Sequence, residues 1–187
     1  MIRSALLAAL LLLTASAHAQ PVFDTVLFSA SGTLNLDAPT TFSDRWSPGY
    51  GGHLEVATPF YRGFFELGVG YHTYGARQPV PVFDALHVYG GYGLYLIDGP
   101  VSVSLSGRLG NYRMQFDEAT FDGVRTESEL TVSAVLRGDV ALGPRLGVFA
   151  SGTYQHTYTF VRLGLVYASA GVTYLLPTPS WLKSALE

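Results

Sequence analysis

"GGHLEVATPFYRGFFELGVGYHTYG", residues 51–75, alternates apolar side chains with small or polar ones on either side of a tight "FYRG" turn. Before the turn, Tyr50, Leu54, Val56, Thr58 and Phe60 fall on one phase and Gly51, His53, Glu55 and Ala57 on the other. Beyond it, Phe65, Leu67, Val69 and Tyr71 share a phase against Glu66, Gly68, Gly70 and His72. A period of two belongs to a strand, so the stretch predicts a hairpin with one apolar face and one face of glycines, imidazoles and carboxylates. The fold depends on which of these faces points inward.

The same alternation continues outward from the hairpin. Leu86, Val88, Tyr92, Leu94 and Leu96 oppose His87, Tyr89, Gly91, Gly93 and Tyr95; Val101, Val103, Leu105 and Leu109 oppose Ser102, Ser104, Ser106, Arg108 and Gly110. Leu130, Val132, Ala134, Leu136, Val140 and Leu142 oppose Glu129, Thr131, Ser133, Arg137 and Asp139. Helix-period patterns are nearly absent, and 21 glycines accompany 12 tyrosines and 11 phenylalanines. Eight strands follow, near 25–35, 49–60, 63–74, 83–97, 100–112, 127–142, 145–155 and 160–176. Short turns at "FYRG", "IDGP" and "LGPR" alternate strictly with longer connections at 37–49, 75–82, 113–127 and 156–159. An all-β, eight-stranded antiparallel up-and-down barrel sorts its loops in this way when it enters a membrane from one side.

Two arrangements bury one face of such a sheet. A soluble barrel, here a periplasmic one around an apolar ligand, points the apolar face inward; a transmembrane barrel points it at lipid. The second face is rich in Gly and Ser, which suits a cramped interior, and lysine, which soluble sheets use on outer faces and edges, occurs once, at Lys183. Aromatic residues gather towards strand ends, as in the girdles of a membrane barrel: Trp46, Tyr50, Phe60, Tyr61, Tyr71, Tyr112, Tyr154 and Tyr174, with Phe64, Tyr74, Tyr92 and Tyr158 beside them. These three features predict the inverted, transmembrane barrel.

Residues 1–19 read as a secretory signal, with Arg3 before the apolar "ALLAALLLLTA" and a small-x-small "AHA" ending at Ala19. The barrel then covers 20–176, and 177–187 form a tail. Losing Arg3 leaves 10 of the 11 basic residues against 14 acidic ones, and no basic patch points to nucleic acid. With no cysteine, disulfides and thiol chemistry are excluded.

The loop and strand "FSDRWSPGYGGHLEV" and the closing "AGVTYLL" resemble the small eight-stranded outer-membrane β-barrel proteins of Gram-negative bacteria, the OmpA/OmpX-like type. The resemblance spans about Phe23 to Leu176. It implies termini in the periplasm, four loops outside, contact with the bilayer and lipopolysaccharide, and insertion as a monomer by the barrel assembly machinery. Gly171, Tyr174 and Leu176 fall on the positions of the terminal-strand signal that this machinery reads. The chain departs from the pattern in ending that signal on Leu176 and in continuing with "PTPSWLKSALE". Such barrels serve as adhesins, membrane-stability proteins, lipid-modifying enzymes and minor pores.

The lumen phase collects Glu55, Glu66, Arg108, Glu129, Arg137 and Asp139, with His53, His72 and His87. Unpaired charges there would be costly, so the carboxylates of Glu55 and Glu66 should find partners among Arg108 and Arg137. Because eight strands leave room only for side chains, a packed polar plug is the first reading, and a narrow ion path or gate made by re-pairing is the second. A lipid hydrolase would need Ser, His and an acid facing lipid; His156 has no such company, and Ser133 and Ser151 fall on the lumen phase, so no enzyme is expected. Asp117, Glu118, Asp122 and Glu127 in the third long loop fit no calcium-loop spacing and are offset by Arg113 and Arg125. No metal or cofactor is expected. Phe42, Trp46 and Pro48 are read as a headgroup anchor. In the last strand Val161, Leu163, Leu165 and Tyr167 alternate in one phase and Val172, Tyr174 and Leu176 in the other, which predicts a bulge at 168–171 or a longer fourth loop. The tail reads either as a short interfacial helix presenting Trp181, Leu182, Ala185 and Leu186 or as an unstructured end.

Overall fold

A computed structural model describes residues 24–36, 41–119, 123–159 and 163–180. The signal, the tail helix, Asp122 and Val161 lie outside the described residues. Eight strands alternate through the chain: β1 (Thr25–Leu36), β2 (Tyr50–Phe60), β3 (Gly63–Tyr74), β4 (Phe83–Ile97), β5 (Val101–Phe116), β6 (Thr126–Ala141), β7 (Leu146–Thr157) and β8 (Leu163–Pro177). A single turn of helix, α1 (Thr41–Arg45), stands between β1 and β2. Each strand pairs antiparallel with the next, and β8 closes on β1, so the sheet has no free edge.

Closure follows from the hairpins. Phe60 pairs with Gly63 across a two-residue turn in which Tyr61 takes a left-handed φ of 52°, as the tightest hairpins require. The other short turns, at 98–100 and 142–145, lie at the same end, called here the turn end, while α1 and the longer connections lie at the loop end. The third long connection is shorter than predicted: β5 and β6 pair as far as Gln115 with Thr126, so backbone expected in a loop extends the sheet.

Exposure decides the inside-out question. Phe28, Leu54, Leu67, Val88, Leu109, Leu136 and Val172 point outward and are exposed. Ser29, Glu55, Glu66, His87, Arg108, Thr131, Ser133 and Arg137 point inward and are buried. An apolar exterior around a polar interior is the transmembrane arrangement, since water would meet this surface as one continuous apolar patch.

The bulge at 168–171 does not occur, and the fourth connection, 158–162, is one residue longer than the expected 156–159. Its register with β1 runs unshifted from Thr25↔Pro177 to Leu36↔Val166, and with β7 from Leu146↔Tyr174 to Thr157↔Leu163. The strand keeps one phase throughout, with Tyr174 and Val172 outward and Leu165 and Tyr167 buried. The interior changes character instead: polar along most of its length, it becomes aromatic near the loop end, and Leu165 and Tyr167 belong to that core. A register shift does occur in β4 against β5, between Tyr95 and Ile97.

Candidate functional site in the barrel interior

The alternation places Glu55 (β2), Glu66 (β3), Tyr89 (β4), Arg108 (β5) and Arg137 (β6) on inward positions of consecutive strands, and their side chains meet across the lumen. Arg108 grips Glu66 with both arms of a fork, Nε to Oε1 at 2.8 Å and one Nη to Oε2 at 3.0 Å. The same Nη donates to Glu55 Oε2 at 2.6 Å. Glu55 also accepts the Tyr89 hydroxyl at 3.0 Å and Arg137 Nη1 at 2.9 Å, so both of its oxygens are used. Arg137 continues the chain to Asp139 through Nε and Nη2, at 3.0 and 2.8 Å, and to the Ser29 hydroxyl at 3.2 Å. Its guanidinium lies 3.7 Å from the centre of the Phe149 ring, and that of Arg108 lies 4.5 Å from the centre of Tyr89.

Glycine makes room for this. A side chain at Gly68 would place its Cβ 2.4 Å from the Tyr89 ring, and one at Gly91 would stand 2.9 Å from Glu66 Oε1. Two strands of the lumen face therefore carry hydrogen where a neighbour's functional group crosses. Buried charge is tolerable only when paired and hydrogen-bonded, and here two guanidinium groups satisfy three carboxylates with charge-assisted bonds. The space enclosed by Ser29, Ser31, His53, Glu55, Arg108 and Arg137 is about 10 Å³, no more than one water needs.

Next to the charges stand the imidazoles. His53 and His72 meet Nε2 to Nε2 at 3.3 Å, one donating to the other, and His87 Nε2 lies 3.0 Å from the Thr131 hydroxyl. His72 packs its ring 4.9 Å from that of Tyr167. Among the described residues no group of three or more His, Asp or Glu is placed to hold a metal ion. Glu129 lies half-buried on the lumen phase, opposite Tyr112, but none of the charged bonds of the cluster reaches it. His156 packs edge-on against Tyr158, and Ser133 is buried in the interior.

The loop end is closed by an aromatic core of Phe42, Tyr74, Phe83, Tyr112, Phe116 and Tyr167, with Met114 and Leu165. Tyr112 donates to the Tyr74 hydroxyl at 3.1 Å, which in turn shares a 2.9 Å hydrogen bond with Tyr167. This corrects the girdle. Tyr50, Tyr61, Tyr71, Tyr154 and Tyr174 are exposed on the outside and Phe60 is half-buried, but Tyr112 is 0 % exposed and lies inside. Phe64 and Tyr74 are buried as well, and Phe42 is no headgroup anchor. Trp46 is half-buried, packs edge-on against Phe83 and donates its indole N–H to the Pro81 carbonyl at 2.9 Å. Position near a strand end or in a loop fixes a side chain's height along the barrel but not the side on which it lies.

Sequence phase did not single out Tyr89, Ser29 or Phe149 as partners, because neutral side chains on an inward position carry no mark of which charge they meet. The aromatic core did have a signal: Phe83, Leu165 and Tyr167 occupy the inward phase of their strands, and Phe42 and Trp46 stand four residues apart.

No protein-family model matches the sequence, and no curated protein matches it. Solved structures do. Neisserial surface protein A superposes with a TM-score of 0.60 at 14% identity, covering 80% of this chain and 95% of that one. The N-terminal β-barrel domain of Pseudomonas aeruginosa OprF gives 0.51 at 14% identity over 83% and 99%. Ail, the attachment invasion locus protein of Yersinia pestis, gives 0.52 at 13% identity over 81% and 97%. The fold is that of the small eight-stranded outer-membrane β-barrels.

Proposed function

We propose that the protein is an integral outer-membrane barrel, with the turn end in the periplasm and the loop end outside, whose lumen is closed and whose role is structural or surface-interacting. The observation that carries this reading is the interior. Around the Arg108–Glu55–Arg137 cluster the side chains leave space for about one water, and the aromatic core beneath α1 closes the loop end. A lumen filled in this way gives a rigid membrane-spanning support for four outward connections. The exposed apolar exterior supports the location, because it requires hydrocarbon around it.

Planar-bilayer recording tests the closure. Wild-type protein should show no steady ion conductance, while Arg137→Ala combined with Glu66→Ala, which removes a charge from each side of the cluster, should open one. Steady conductance in the wild type would replace this reading with that of a small pore. The location is tested by fractionation: the mature chain should require detergent and run with heat-modifiable mobility, and a chain soluble without detergent would be a periplasmic barrel instead.

A further inference from the structure

The turn end of the barrel is hollow. A cavity of about 330 Å³ opens there, floored by Glu55, Arg137 and Asp139 and rimmed by the turns at 98–100 and 142–145. That volume lies at the lower end of the range of small-molecule sites. We propose that this vestibule is a binding site for an alkylammonium, a single positive charge on a compact apolar stem of about four to six carbons.

The wall supplies the apolar contact. Phe64 and Tyr95 stand with ring centres 5.1 Å apart, inclined at 51°. Phe64 reaches its ring tip over β4 at Gly93, which leaves no Cβ to block it; one would stand 2.2 Å from the ring. Tyr95 is on the inward phase yet 42% exposed, so its ring faces the open cavity and not the packed lumen. Leu27 and Leu175 line the opposite wall.

The charges supply the sign. Three carboxylates, Glu55, Asp98 and Asp139, line the cavity against two guanidinium groups, Arg137 and Arg145. Arg137 already donates to Glu55, Ser29 and Asp139, so Arg145 alone is left to offset the cavity's excess of carboxylate, and the lining is net negative. An ammonium would meet Asp98 at the rim, the open side of Asp139, whose side chain is 22% exposed, and the exposed ring of Tyr95, with Phe64 packed behind it. Such a group has two sources: a diffusible amine, or a lysine side chain, of which this chain has one, Lys183, six residues beyond the end of β8.

The test uses isotope-labelled full-length protein in a non-ionic detergent, titrated with Nα-acetyl-L-lysine N-methylamide and followed by amide chemical shifts. Saturable shifts are expected at Asp98, Gly99 and Ser102, with none from the uncharged norleucine analogue, which keeps the four-carbon stem and lacks the ammonium. Asp98→Asn, at an exposed turn where folding is undisturbed, should weaken the lysine probe about fivefold. Tyr95→Leu should weaken it as well by removing one ring face. An equal response to the norleucine analogue, shifts confined to the loop end, or no saturation would overturn the proposal. Tighter probe binding by Lys183→Met than by wild type identifies the chain's own lysine as an occupant, and equal binding identifies a diffusible amine; both support the site.

Discussion

Arg108 and Leu109 are adjacent in sequence and opposite in environment: Arg108 is 7% exposed, Leu109 59%. The half-turn of a strand between consecutive residues produces this, so at the residue scale the alternation first seen in 51–75 says which side chains enter the lumen. It does not say which of them meet. Glu55 and Arg137 are 82 residues apart in sequence and touch because the sheet closes. The consequence for stability is specific. Arg108→Ala removes the partner of Glu66 and one partner of Glu55, leaving buried carboxylate without compensation, and should cost about 3–5 kcal/mol. Urea unfolding from lipid vesicles, followed by gel mobility, measures this; a loss below about 1 kcal/mol would mean that water reaches the cluster freely. Arg108→Lys should recover only part of the loss, because a point charge cannot reproduce the fork on Glu66.

At the scale of elements, the connection between β1 and β2 does more than join them. α1 sets Phe42 under the mouth, edge-on to Tyr74 at 5.3 Å, and Trp46 donates across to the second loop. Backbone bonds from Ser47 to Gly75 and from Arg77 to Arg45, each 2.8 Å, tie the two loops into one cap. A five-residue helix has no stability of its own, so the packing of Phe42 must hold it. Phe42→Ala should therefore loosen the cap while leaving the barrel folded, and trypsin should cleave after Arg45 and Arg77 faster than in wild type. Unchanged cleavage with an intact heat-modifiable barrel would show that the backbone bonds alone hold the cap. The regular register of β8 teaches a related lesson. Its apolar phase changes because the surroundings of its inward face change along the barrel axis, and a sequence pattern assumes that a face has one environment from end to end.

For the whole molecule, the decisive property is inversion. Leu109→Arg places a charge on the outer surface at mid-strand and should cost about 2–4 kcal/mol of folding stability in vesicles, although the neighbouring Arg108 is retained inside. If this change were neutral, the outer face would not be in hydrocarbon. The sequence by itself determined the class, eight alternating strands, short turns at one end and an apolar exterior, because period-two alternation, turn residues and the near absence of lysine are local properties of the chain. It also determined which charges lie inside. Tertiary structure alone decided which of the two arginines meets which carboxylate, the seat of Phe42 and Trp46 beneath the mouth, the undisturbed register of β8 and the hollow at the turn end. Each of these depends on distances between strands remote in sequence, and those distances are fixed only when β8 closes on β1.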